Sequence, residues 1–195
     1  MPRKSSITGV ITVAISVAWA SAAHADLVFD GGFEEGCFCG WTLNDPSRNS
    51  GVSIGDPHSG TYAAFLGAKG AAGTLSQQLE SPAGAYAVSF FLATDPATAQ
   101  LFKATLGATT VFSQTNFRLT PSYAYTGFEI DIDVAANNPL LTFTFQDNAG
   151  FIWLDDVDVS LVAPEPASLA LLGTAMILLA ACRVGRKRAA EWWLA

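Results

Sequence analysis

Charge is scarce in this 195-residue chain: 14% of it is Asp, Glu, Lys or Arg, against 50% hydrophobic residues. So apolar a composition excludes a disordered protein. Basic residues are scarcest between 26 and 163, where only Arg48, Lys69, Lys103 and Arg118 occur. Fifteen acids in the same stretch leave it near −11, which repels nucleic acid, disfavours anionic polymers and suits cations. Long apolar runs are also few. Only two approach a spanning length, one near each end, which excludes a polytopic membrane protein, and their placement excludes a plain cytosolic one. Histidine occurs twice, at 24 and 58, so a Ser or Cys nucleophile would have almost no imidazole to work with. No repeat of 20 to 50 residues is present, which argues against a solenoid or propeller.

What is present is an address at each end. Arg3 and Lys4 precede 13 uncharged residues from Ile7 to Trp19, and Ala23-His24-Ala25 offers small residues where signal peptidase cuts. Residues 1–25 therefore read as a signal peptide, a helix cleaved after Ala25. At the other end stand Pro164-Glu165-Pro166, then 16 uncharged residues from Ala167 to Cys182, then Arg183, Arg186, Lys187 and Arg188. As a helix the apolar run reaches about 24 Å, enough for a short transmembrane span with its basic end in the cytoplasm. The two prolines lock φ and remove two donors, so the triplet stays extended, with Glu165 as its one charge.

Pro164-Glu165-Pro166-Ala167-Ser168-Leu169-Ala170-Leu171-Leu172-Gly173, with the span and basic cluster behind it, resembles the PEP-CTERM sorting signal. That resemblance implies handling by an exosortase, a membrane transpeptidase of Gram-negative bacteria that make exopolysaccharide. It covers about 25 residues, 164–188. Residues 189–195, with Trp192 and Trp193, run past the family's usual end as a cytoplasmic tail.

The middle, 26–163, reads as short strands separated by turn chemistry. Thr74–Leu79, Tyr86–Leu92, Phe128–Val134, Leu141–Phe145 and Trp153–Val159 alternate as half-buried strands do. In 128–134 the apolar Phe128, Ile130, Ile132 and Val134 share one face, and Glu129, Asp131 and Asp133 the other. Breakers fall at 56–60, 81–84, 95–96, 137–139 and 147–150. All 13 phenylalanines lie in this stretch, enough to fill the space between two sheets. The expected fold is all-β: an antiparallel β-sandwich of jelly-roll type, flanked by the signal helix and the transmembrane helix.

Asp30-Gly31-Gly32-Phe33-Glu34 with Gly40-Trp41, His58-Ser59-Gly60-Thr61-Tyr62-Ala63-Ala64, and Leu154-Asp155-Asp156-Val157-Asp158-Val159 resemble three stretches of galactose-binding-like jelly rolls. That group includes many carbohydrate-binding modules. The resemblance implies a structural calcium held by Glu34 and Asp156, with carbonyls near Ser59 completing a shell of oxygens. It also implies a buried Trp41. The other aromatics that could stack on a sugar, Trp153, Tyr123 and Tyr125, read more readily as core than as platform.

Cys37-Phe38-Cys39 leaves a bridge, free thiols and intermolecular pairing all open. The function expected is an exported surface or matrix protein, not an enzyme, with a structural or adhesive role and weak binding to exopolysaccharide. Its partners are signal peptidase, the exosortase and the membrane. Two rivals stand beside it: a small glycoside hydrolase using Asp155-Asp156 or Glu129 and Asp131, and a spacer without a ligand.

Overall fold

The computed structural model describes residues 25–162 together with Ala175 and Met176. Ten strands follow in order: β1 (Thr42–Asn44), β2 (Gly51–Ser53), β3 (Ala63–Leu66), β4 (Gly73–Gln78), β5 (Gly84–Thr94), β6 (Ala99–Leu106), β7 (Thr109–Phe117), β8 (Thr126–Val134), β9 (Leu140–Gln146) and β10 (Ile152–Leu161). They form two five-stranded sheets, β1-β4-β9-β6-β7 and β2-β3-β10-β5-β8. Every pairing is antiparallel.

The alternation expected from sequence is what packs the sheets together. Leu75, Leu141, Phe143, Phe145, Phe102 and Ala104 face inward from the first sheet, and Tyr86, Val88, Phe90, Leu92, Leu154 and Val159 from the second. Phe90 sits at the centre, with ring centroids 5.4–6.0 Å from Phe102, Phe112, Phe128 and Phe143. Not every phenylalanine fills this core. Phe65 and Phe91 lie on the outer side of the second sheet, and Phe29 is 59% exposed.

Strand β10 cannot keep one alternation throughout. Leu154 and Val157 both point inward although three positions apart, so the phase must slip between them. The slip is a bulge between Asp155 and Asp158, where two residues of β10 oppose one of β5. Asp156 takes a left-handed φ of 45°, a conformation L-residues rarely adopt outside such features. The residues ahead of β1 close the open edge of β10: the Leu27 N–H donates to Val159 O at 2.8 Å and the Val157 N–H to Gly31 O at 3.0 Å. Among the described residues no helix is long and apolar enough to cross a membrane. The expected signal helix and, apart from 175 and 176, the expected span at 167–182 lie outside them.

Candidate functional site

The bulge sends Asp155 and Asp156 to different tasks at the loop between β2 and β3. Asp155 is fully buried; one oxygen accepts the N–H groups of His58 (2.8 Å) and Ser59 (3.2 Å), the other that of Asp156 (2.8 Å). Burial outweighs these bonds and pushes its pKa up to about 6. Asp156 holds the same loop by its side chains, accepting from Ser59 Oγ at 2.8 Å and lying 2.6 Å from Nδ1 of His58. The His58 ring stacks on Phe91 with centroids 3.7 Å apart and meets the edge of Tyr125 at 5.2 Å. Tyr125 donates its hydroxyl to Asp56 O, and burial raises its pKa, with Asp155 adding to the shift. Trp153 lies beneath this loop, beside Phe65 and close to Gly55.

Glu34 arrives from the other end of the chain. Its carboxylate accepts the N–H groups of Thr61 and Tyr62 at 2.9–3.0 Å, and a β-carbon on Gly60 (φ 61°) would come within 2.2 Å of it. Glu34 and Asp156, singled out together in the sequence, thus converge on one loop and flank Gly32. Both are acids, and the imidazole of His58 lies beside Asp156. Each of their four oxygens already accepts a hydrogen from the loop. Among the described residues no three His, Cys, Asp or Glu side chains group as a metal site.

The carboxylates considered for hydrolysis separate. Asp155 and Asp156 hold the loop, whereas Glu129 and Asp131 line a depression of about 340 Å³ on the outer face of β5, β8 and β10, with Ala87, Ser89, Asp158, Ser160 and Val162. Trp41 is in the core, 7% exposed, its Nε1–H donating to Asp30 O. Tyr123 is half exposed. Cys37 and Cys39 are joined as a disulfide, their Cα atoms 5.2 Å apart. Ala23, Pro164, Glu165, Pro166, Arg183, Arg186, Lys187 and Arg188 lie outside the described residues; Ala25 is the first of them and is exposed.

A feature that sequence reading missed is the outer face of the first sheet. Register aligns Thr42, Ser76, Thr142, Thr105 and Thr110 into one row across all five strands. A second row runs Asn44, Thr74, Thr144, Lys103 and Ser113. At strand spacing each row is about 19 Å long. None of the eight hydroxyls bonds to another described residue, so their donors and acceptors face outward, available. On a domain near −11, these rows carry no acid and a single cation, Lys103. The wet side of each strand was visible as Thr and Ser alternating with Phe and Leu; the lateral alignment was not.

Compared with known proteins, the sequence matches no family model and no curated protein. Solved structures do match. The TmCBM61 module in complex with β-1,4-galactotriose superposes with a TM-score of 0.57 at 20% identity, covering 71% of this chain and 99% of the module. The CBM22-1 xylan-binding domain of Paenibacillus barcinonensis Xyn10C gives 0.52 at 18%, covering 74% and 99%. An apo cyclase from Fischerella gives 0.55 at 15%, covering 72% and 97%. The chain shares their β-sandwich fold. At these identities the likeness speaks for architecture, and one architecture serves both binding modules and an enzyme.

Proposed function

We propose that this protein is an exported, surface-associated glycan-binding protein, with a structural or adhesive role in an exopolysaccharide matrix and no catalytic activity. The observation that carries the reading is the pair of hydroxyl rows on the first sheet. A neutral polysaccharide presents a dense series of hydroxyls, and a nearly uncharged array of unpaired donors and acceptors can meet several along one strand of polymer. Without a Trp or Tyr in either row there is no stacking platform, so the binding is weak for each sugar and gains from length. Similar structures that carry a galactotriose or are named for xylan support the polysaccharide class, and the use of Asp155 and Asp156 to hold a loop supports binding over hydrolysis.

A glycan array on the purified chain tests this. Neutral polymers are expected to bind, and Thr142→Val with Thr105→Val to weaken them about tenfold, at roughly 0.5–1.5 kcal/mol for each hydrogen bond lost. Valine suits a strand, so the sheet is kept. Binding unchanged in the double variant would move the site elsewhere, and an empty array would leave a spacer.

Export belongs to the same proposal. Pro164-Glu165-Pro166, the following span and the Arg183–Arg188 cluster are read as the exosortase signal, and Ala23 and Ala25 as the signal-peptidase site. Deleting Pro164-Glu165-Pro166 is expected to strand the protein in the inner membrane; normal release of that variant contradicts the sorting role. Calcium is proposed at the loop, with Glu34 and Asp156 as its carboxylates. Bound there, the ion would supply positive charge between two acids from opposite ends of the chain. EDTA is then expected to lower the melting midpoint by several degrees, and an identical melt with EDTA removes calcium from the account.

A further inference from the structure

Cys37 and Cys39 are bridged across a single residue, on the turn between the first buried phenylalanine, Phe33, and β1. A disulfide stabilises chiefly by closing a long loop of the unfolded chain, and this one closes almost none. The turn has other fastenings. Phe33 N–H donates to Asp30 O, Gly36 N–H to Phe33 O, Trp41 N–H to Phe38 O, and Glu35 N–H to the Asp30 carboxylate. Phe38, the residue inside the bridge, packs edge-on against Phe33 with centroids 5.9 Å apart. Glu34 ties the same turn to the 61–62 backbone. The bridge therefore joins neither two elements nor two distant parts of the chain.

The bridged residues lie at the surface: Cys39 is exposed and Cys37 half-buried. Exposed disulfides that secure no structure are the labile, exchangeable ones. The surroundings set a charge preference. Glu34 and Glu35 stand three and two residues before Cys37, and no Lys or Arg occurs between residues 26 and 47. An anionic thiol is repelled there and a cationic one drawn in.

We propose that Cys37–Cys39 is a thiol-exchange site through which the protein attaches covalently to a thiol-bearing partner whose cysteine lies among basic residues. The partner's thiolate attacks Sγ of Cys39, a new S–S bond forms, and the Cys37–Cys39 bond breaks with Cys37 leaving as thiolate. Once protonated, the Cys37 thiol has an acceptor in Glu35 O, 3.7 Å from its sulfur. Attack by Cys37 on the mixed disulfide reverses the step and frees the partner. No external oxidant is consumed in either direction. The proposal does not depend on glycan binding, and neither Cys37 nor Cys39 belongs to the two hydroxyl rows.

The test uses the full chain with Cys182→Ser in detergent, so that only these two sulfurs react. Cysteamine, a cationic thiol, and glutathione, an anionic one, serve as probes, with rates normalised to thiolate and adducts read by intact mass. Folded protein is expected to form the mixed disulfide, and peptide mapping of the acid-quenched adduct, with the freed Cys37 thiol alkylated, to place the probe on Cys39. Cysteamine should react several-fold faster than glutathione at low salt, the gap closing at high salt. Reduction should leave the melting midpoint within about 2 °C, given how short a loop the bridge closes. A bridge that reacts only after denaturation, or whose reduction lowers the midpoint by many degrees, is a structural staple, and the proposal fails. Equal rates for the two probes at low salt overturn the basic partner.

Discussion

Phe90→Ala is expected to cost about 3–5 kcal/mol, the largest loss of any single truncation in this protein. Phe90 is fully buried on β5 at the point where the two sheets face each other, and four other phenylalanine rings surround it. Removing the ring deletes its transfer free energy and leaves a cavity that rings held from both sheets cannot collapse to fill. Stacking with Phe128 at 5.4 Å is lost as well. Urea unfolding should show a lower midpoint with an unchanged slope. Phe90→Leu, which keeps most of the volume, should cost less than half as much. If both variants lie within about 1 kcal/mol of wild type, on the scale of core truncations, the ring cluster is not the centre of the core.

The second large effect depends on pH. The carboxyl of Asp155 is raised from 3.8 to about 6 by burial, so the folded protein binds a proton there more tightly than the unfolded chain. The contribution of this group to stability therefore grows as pH falls through 6, and the gain is complete below about 3.8. Asp155→Asn cannot titrate. It also keeps one acceptor oxygen where three N–H groups need two, which costs about 1–3 kcal/mol at pH 7. From pH 7 to pH 4 the gap between wild type and variant is expected to widen by roughly a further 2–3 kcal/mol, since each tenfold gain in proton affinity on folding is worth about 1.4 kcal/mol. Denaturant melts of both proteins across that range measure it, and a constant gap would show that Asp155 is not the titrating group. Subtracting the variant's curve cancels the carboxylates far from position 155, which titrate alike in both proteins.

Much of the fold was legible along the chain. Strands with a clean two-residue period, β4, β5, β8 and β9, stand out because one face must be dry, and β10 does so in spite of its bulge. Those passed over have weaker local signals. β1 and β2 are three residues each. β7 is an edge strand, largely exposed and bulged opposite Ala104–Thr105, so its period is blurred. In β6, Leu101 breaks the alternation by facing outward. The turn joining β6 to β7 rests on Gly107 at φ 58°, without the Asn-Gly or Asp-Gly pair that announces a hairpin.

The candidate sites divide the same way. Glu34, His58, Ser59 and Asp156 could be singled out because their motifs are short words within one segment each. That Asp155, not Asp156, is the buried acid follows from the bulge, which exists because β10 must bury Leu154 and Val157 together on its inner face. The chain alone thus determined an acidic all-β domain and which side of each long strand is wet. Tertiary structure alone decided which wet residues stand side by side: Thr42, Ser76, Thr142, Thr105 and Thr110 come from five strands spread over about 100 residues. Their row depends on register between strands, and register is set by packing across the whole sandwich, which no local stretch of sequence encodes.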